Sequence, residues 1–469
     1  MLNFVQAISN FISDYILIVV LLAAAIYFTV ITRGVQFRLA GEMIRLLLTS
    51  GKIDTPHTNS HRHTITSFQA FMVSIASRVG TGNLAGVATA IALGGPGAIF
   101  WMWVIAILGS ATAFIESTLA QLYKQHGSQS FIGGPAYYIS LGLRSRGWAV
   151  CFAILITLTF GLAFNSVQSN TIAEAFANSF SVPNYVTAII LAILTLIIIW
   201  GGIQSIAKVS QVIVPVMAIA YLALAVAIIA INYQSIPSVF RLIFENAFGF
   251  DQATGGTLGM AIVMGTKRGL FSNEAGEGSA PNIAATASVS HPVKQGLIQA
   301  LGVLTDTILV CSCTAFIILC SGINFSEADG IVLTQKAVDV GLGHPGTGSV
   351  FGSIAIFFFA FSAIIANYYY GETNLQFISP NPHIITVYRL AVGALVFIGA
   401  VSSLQFVWSF ADITMALMTL CNLAAIFRLG KYALICLKDY CRQRAKGVDP
   451  SYCASTIPEI EKNTPCWIC

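Results

Sequence analysis

Hydrophobic residues in this 469-residue chain fall into long blocks that are seldom interrupted, at 14–32, 65–94, 96–123, 147–172, 184–202, 209–231, 256–288, 295–322, 347–370, 385–404 and 409–428. A helix needs about 20 apolar residues to cross a bilayer, so the pattern predicts eleven transmembrane helices and an all-α integral membrane protein. Two blocks are interrupted in the middle. In the first, Ser77-Arg78-Val79-Gly80-Thr81-Gly82-Asn83 leaves flanks too short to span alone; in the second, Lys267-Arg268-Gly269-Leu270-Phe271-Ser272-Asn273-Glu274-Ala275-Gly276 does the same. Each is expected to be one discontinuous span. Unwound backbone survives in hydrocarbon only where it is buried in protein or lines a water-filled cavity, and in transporters such breaks offer amides and carbonyls to substrate and ions.

The broken spans begin near 65 and 256 and each is followed by four more, which divides the membrane region into two sets of five. Five is odd, so the second set enters from the opposite side, an inverted-topology pair. The expected organisation is a peripheral first span and loop (1–64), a first repeat (65–231), a second repeat (256–428) and a tail (429–469). Gly94-Gly95-Pro96-Gly97 reads as a tight turn, and the loop 123–146, with Gly133-Gly134-Pro135, as the place for a short amphipathic helix. From Asp449 onward the tail is polar and expected to be disordered.

Composition agrees with this picture, at 56% hydrophobic and 9% charged residues and a mean hydropathy of +0.79. Soluble domains carry roughly a quarter charged residues. The N-terminus lacks the basic stretch and cleavage site of a signal peptide, so Met1 is expected to begin the mature chain. Alternate loops collect Arg33, Arg38, Arg45, Lys52, Arg62, Lys124, Arg144, Arg146, Lys208, Lys294 and the basic tail 428–446, while the opposite loops hold only Arg241 and Lys336. The positive-inside bias then places the N-terminus outside and the C-terminus in the cytoplasm of an inner (plasma) membrane protein. The net charge of +4 reads as this topology signal, with no nucleic-acid partner implied. Five of ten cysteines (Cys436, Cys441, Cys453, Cys466, Cys469) lie in the tail, a reducing compartment in this topology, which argues against disulfides. Cys466-Trp467-Ile468-Cys469 supplies two thiolates where a structural zinc wants four ligands. His57, His61 and His63 are read as solvated rather than ligating.

At the first break, the amides of Thr81 and Gly82 open the half-helix that continues from Asn83, and a helix N-terminus attracts a carboxylate. At the second, the carbonyls of Leu270, Phe271 and Ser272, with Asn273 beside them, end a half-helix and suit an ammonium group. One anion-seeking and one cation-seeking pole near mid-bilayer match a zwitterionic amino acid. The competing reading is a pair of packing kinks, but kinks do not normally import Arg78, Lys267, Arg268, Glu274 and Glu277. Charge at the bilayer centre costs about 2.5–3.5 kcal/mol even on lenient scales, so these groups should be paired or face water. Arg78 with Glu274, and Lys267 or Arg268 with Glu116 or Glu277, are the pairings considered; Asp306 and Asp412 are read as structural or gating groups.

Several motifs together resemble the alanine/glycine:cation symporter family: Val79-Gly80-Thr81-Gly82-Asn83-Leu84, Gly95-Pro96-Gly97 followed by Phe100-Trp101-Met102-Trp103, Gly269-Leu270-Phe271-Ser272-Asn273-Glu274-Ala275-Gly276, and Tyr368-Tyr369-Tyr370-Gly371-Glu372. The resemblance covers nearly the whole membrane region and implies the fold of the neurotransmitter:sodium symporters. It further implies sodium as coupling ion, held by carbonyls of Ala76 and Val79 and a hydroxyl from the ninth span, Ser362, and a substrate contact from Gln168. Ala363 stands where a second hydroxyl is expected, and Asn367 where the family usually has tryptophan. A lone serine in a span can instead bond its own helix, and a buried glutamine can serve another partner.

The expected function is sodium-coupled uptake of a small neutral amino acid (alanine, glycine, or a polar one such as glutamine) by alternating access, with proton coupling as the alternative. A channel would need a continuous polar stripe, and a membrane enzyme a nucleophile with its base or a metal cluster; the sequence offers neither, nor a cofactor or nucleotide-binding loop.

Overall fold

A computed structural model of the protein describes residues 11–50, 65–127, 130–249, 255–325 and 328–467. Lys52, Arg62, His57, His61, His63, Ile468 and Cys469 lie outside the described residues. Every apolar block becomes a helix or a broken pair. The first is α1 (Ile18–Ile31), and an amphipathic helix α2 (Ala40–Thr49) follows. The first set of five comprises the broken pair α3 (Ser67–Arg78) and α4 (Gly82–Gly94), then α5 (Ala98–Leu122), a short α6 (Pro135–Gly142), and the spans α7 (Arg146–Phe180), α8 (Asn184–Ile199) and α9 (Gly202–Ile231). After the connecting helix α10 (Ile236–Phe248), the second set comprises the broken pair α11 (Gly255–Asn273) and α12 (Ala280–Ala284), then α13 (Pro292–Cys320), α14 (Gly330–Leu342), and the spans α15 (Thr347–Ile378), α16 (Pro382–Val401) and α17 (Leu404–Ala445). The hydropathy pattern left α10 and α14 as loops; both are helices that carry polar faces between spans.

The two sets are arranged as counterparts. α5 packs on α13, α7 on α15 and α8 on α16, each second-set helix against its first-set equivalent. The start of α3 and the end of the second break lie side by side, joined by a parallel bridge between Ile65 and Ala287. This is a five-plus-five inverted repeat with two broken helices. Its surface is the reverse of a water-soluble protein's. Val30, Ile197, Ile219 and Val387 are each about two-thirds exposed, whereas Asn83, Glu116, Glu277 and Asp306 are fully buried. Apolar outside and polar inside is the arrangement a hydrocarbon solvent selects.

Local chemistry sets the helix ends that matter. Thr66 Oγ1 accepts the Gln69 amide and Gln69 Oε1 accepts the Thr66 amide, both at 3.1 Å, a reciprocal cap that fixes where α3 starts. Wide π-type turns fall at Gly82–Gly86, Thr157–Phe164 and Thr305–Cys311. Such turns are uncommon and tend to lie at functional positions.

The tail departs from expectation. It folds back as short 3₁₀ turns, with Tyr452, Ile457, Ile460 and Trp467 buried. Trp467 Nε1 donates to the Gln121 carbonyl at 3.0 Å, Lys124 Nζ lies 4.4 Å over the Trp467 ring, and Lys294 pairs with Asp449 at 2.8 Å. Four widely spaced apolar side chains are enough to order a polar segment when each finds its own socket. Burial in this patch pushes the Lys124 ammonium down to about 7. Cys453 takes part in a disulfide, contrary to the compartment argument.

Candidate substrate and cation site

The two breaks face one another at the centre of the helix bundle, and both are made in the same way. At each, side-chain acceptors take backbone amides that would otherwise continue the helix, and carbonyls four residues earlier are left without their helical partners. At the first break, the Gly80 amide turns to the Arg78 carbonyl and to Asn83 Oδ1, each at 3.0 Å, and the Thr81 amide donates to Gln168 Oε1 at 3.0 Å. The carbonyls of Ala76 and Ser77 thereby lose their partners. At the second break, the Ala275 amide donates to Asn273 Oδ1 at 3.0 Å and the Gly276 amide to Glu116 Oε1 at 3.1 Å, which releases the carbonyls of Phe271 and Ser272.

Two details revise the expected poles. The Thr81 amide is occupied by Gln168, so of the two amides expected to be free, only that of Gly82 is left to offer. The Leu270 carbonyl accepts the Glu274 amide at 2.8 Å, so the cation-seeking end consists of Phe271 and Ser272. Gly82 lies close against the second break: a Cβ there would meet Ser272 Cα at 3.0 Å and Phe271 Cδ1 at 3.1 Å. Only glycine permits that approach.

Asp306, read from sequence as structural, is the clamp between the breaks. It accepts Asn83 Nδ2 (2.7 Å) from the first, Ser272 Oγ (2.7 Å) from the second, and Thr307 Oγ1 (3.0 Å) on its own helix. Asn273 Nδ2 donates to Thr307 Oγ1 at 3.3 Å. Ser77 provides a second link, donating to Glu274 Oε1 at 2.6 Å and standing 2.7 Å from Asn367 Oδ1 on α15. Asn367 is buried, and among the described residues its Nδ2 has no hydrogen-bond partner; neither does the buried Thr81 Oγ1. Phe271 packs between Phe164 and Trp408, with ring centroids at 4.6 and 4.7 Å, and forms an apolar wall.

The expected charge pairings are corrected. Lys267 Nζ and Arg268 Nη1 both face Asp412, at 2.9 and 3.7 Å, and Arg268 stacks on Trp408 at 4.2 Å, so neither pairs with Glu116 or Glu277. Arg78 Nη1 donates to the Gln299 carbonyl at 3.3 Å, while Glu274 is held by Ser77 and Ser279. Ser362 Oγ donates to Phe359 O of its own helix at 2.9 Å. Its lone pairs are not consumed by that bond. At the end of the Tyr368–Glu372 motif, a cavity of about 610 Å³ is lined by Tyr369, Glu372, Arg389, Trp200 and Ile132. Arg389 closes one side through Glu372 at 3.1 Å and Tyr368 at 2.9 Å.

A family model described as "Sodium:alanine symporter family" matches residues 1–454. The chain belongs to this family. Its relatives include the "Probable sodium/glutamine symporter GlnT" of Bacillus subtilis, 49% identical over 453 residues that cover 96% of this chain and 93% of that protein. The "Sodium/alanine symporter AgcS" of Methanococcus maripaludis is 36% identical over 438 residues, covering 91% and 94%. Among solved structures, MhsT in complex with L-phenylalanine matches with a TM-score of 0.56 at 14% identity, over 80% of this chain and 96% of that one, a likeness of fold. The chain is thus an amino-acid symporter of the multi-pass membrane class and not an enzyme.

Proposed function

We propose that this chain takes up a small neutral amino acid together with sodium by alternating access, in the inner membrane, with the N-terminus outside and the tail in the cytoplasm. The observation that carries this reading is two buried polar atoms without a partner among the described residues, Thr81 Oγ1 in the first break and Asn367 Nδ2 on α15, whose side chain contacts Ser77 of that break. Nearly all buried polar groups in folded proteins have partners, so an orphan donor and an orphan hydroxyl mark where a polar guest completes the network. In this reading the substrate carboxylate meets the Gly82 amide and Thr81 Oγ1, and its ammonium meets the Phe271 and Ser272 carbonyls. Gln168 and Asn273 hold the backbone in shape, the former through the Thr81 amide. Sodium takes the carbonyls of Ala76 and Val79 with Ser362 Oγ; these are hard oxygen donors, two of them backbone groups that lie where the helix ends.

Asn367 is the specificity residue in this proposal. It offers an amide to the substrate side chain, which favours glutamine, asparagine or serine over alanine. The relatives' names bracket that choice, one a probable sodium/glutamine symporter and another a sodium/alanine symporter. Counterflow of labelled amino acids in proteoliposomes, with and without a sodium gradient, tests the reading. Glutamine should compete at least as well as alanine, and only with sodium present; uptake that ignores sodium would overturn the coupling assignment.

A further inference from the structure

Three carboxylates converge around the second break: Glu116, Glu274 and Glu277, all 0–1% exposed. Two are fully engaged. Glu116 accepts the amides of Gly276 and Gly278, each at 3.1 Å, and Asn422 Nδ2 at 2.8 Å. Glu274 accepts the hydroxyls of Ser77 and Ser279, each at 2.6 Å. Glu277 differs from both. Its two carboxyl oxygens are buried and neither has a hydrogen-bond partner among the described residues.

The charged groups that face Glu277 are Glu274, Glu116 on α5 and Arg78 at the end of α3. Farther out, Tyr138 of α6 lies near Glu116, and Tyr370 of α15 near Glu274 and Arg78. With all three glutamates ionised, three negative charges stand against the one guanidinium, an excess of two. Uncompensated buried charge costs several kcal/mol per ion, and like charges sharing one site do not all ionise. A positive charge must therefore enter the cluster. Among the described residues no donor reaches the Glu277 carboxyl to hold it ionised, so its oxygens are open to take up that charge themselves. A proton needs a single oxygen. The ionised form also has provision: Arg78 Nε and Nη2 are buried without partners among the described residues and can receive the carboxylate when the proton leaves.

We propose that Glu277 is a proton-carrying site, separate from the amino-acid and sodium site, which loads a proton from water in one orientation of the transporter and releases it in the other. The proposal rests on the symporter reading above. In the loading step a hydronium proton bonds to one Glu277 carboxylate oxygen, giving a neutral carboxylic acid and water; release is the reverse, and no electrons are transferred.

The test uses the full-length protein in liposomes. Infrared difference spectra across the acidic-to-neutral range should show a carboxylic C=O band that disappears as pH rises and is absent in Glu277→Gln. An imposed pH difference should change native amino-acid uptake several-fold and leave Glu277→Gln unaffected, while Glu277→Asp, which keeps the acid, regains the response. If Glu277→Gln fails to fold by gel filtration, a displaced titrating band in Glu277→Asp carries the same assignment. The proposal is overturned if the band does not titrate, or if Glu277→Gln keeps the native pH response. Failure of the symporter reading would look different: no amino acid taken up by the native protein under any sodium gradient, with the Glu277 band still titrating.

Discussion

The two breaks solve one problem with different materials. The first, around Val79–Thr81, diverts its amides to neutral side-chain amides, Asn83 and Gln168, and none of its residues has a left-handed backbone. The second diverts an amide to a carboxyl acceptor, Glu116, and turns through Glu274 (φ 57°), Gly276 (φ 87°) and Gly278 (φ 82°). Left-handed backbone at a glutamate costs on the order of 1 kcal/mol or more and persists only when its surroundings hold it. Neutral acceptors at the Gly80 and Thr81 amides add no charge beyond that of Arg78 where the helix opens, which suits binding and release of a charged guest. A buried carboxylate makes the second break stiffer and ties it to a charge cluster. The first break is therefore read as the moving, ligand-handling element and the second as the anchored one.

The most severe way to break this comparison is to force the breaks apart. Gly82→Val places a branched side chain where even a Cβ would stand 3.0 Å from Ser272 Cα. Transport should be abolished while the protein still elutes as a folded species in detergent; normal uptake would show that the breaks do not need this contact.

Next in size is the contrast between two acids. Glu116→Ala leaves the Gly276 and Gly278 amides without their acceptor, at about 1–3 kcal/mol for each buried group, while Asn422 keeps the Gly276 carbonyl, so its main effect should be a lower unfolding temperature. Asp306→Ala releases Asn83 and Ser272 together. Uptake there should fall about tenfold or more, the effect of roughly 1.4 kcal/mol of misplacement, with a smaller loss of stability. If both variants lose stability and activity in the same proportion, the two breaks do not differ as argued.

Much of this architecture was legible in the sequence, because an arginine and two glycines inside an apolar run are improbable in an unbroken span. The positions of both breaks, the five-plus-five order and the family resemblance followed from that. The partners were not legible. Lys267 and Arg268 go to Asp412, about 145 residues away, and Asp306 joins breaks that lie on both sides of it in space, because pairing across helices depends on their rotation, which hydropathy does not record. Gln168 was identified as a pocket residue, yet its carbonyl oxygen serves the Thr81 amide. The tail was misread because disorder was inferred from average polarity, while its order comes from single anchors such as Trp467.

Asn367→Leu keeps side-chain volume and removes the amide. If the orphan Nδ2 recognises a polar side chain, the preference for glutamine over alanine should shift by roughly 10- to 100-fold, since a site built to hydrogen-bond discriminates strongly and an apolar one weakly. Competition against labelled substrate measures it, and an unchanged ratio would remove Asn367 from the pocket.

The smallest expected effect is at the cation. Ser362 Oγ already donates its proton to Phe359 O at 2.9 Å, so only its lone pairs can serve sodium, alongside the stronger dipoles of the Ala76 and Val79 carbonyls. Loss of one weak ligand among several should cost about 1 kcal/mol, a few-fold in affinity. Ser362→Ala should therefore raise the sodium concentration for half-maximal uptake by a few-fold and leave the maximal rate near native, with Ser362→Thr close to wild type. A sodium curve unmoved by Ser362→Ala would mean that the hydroxyl serves only its own helix. The cation site would then be built from the first break's backbone and other donors, and the assignment of the first break as the ion-handling element would rest on its carbonyls alone.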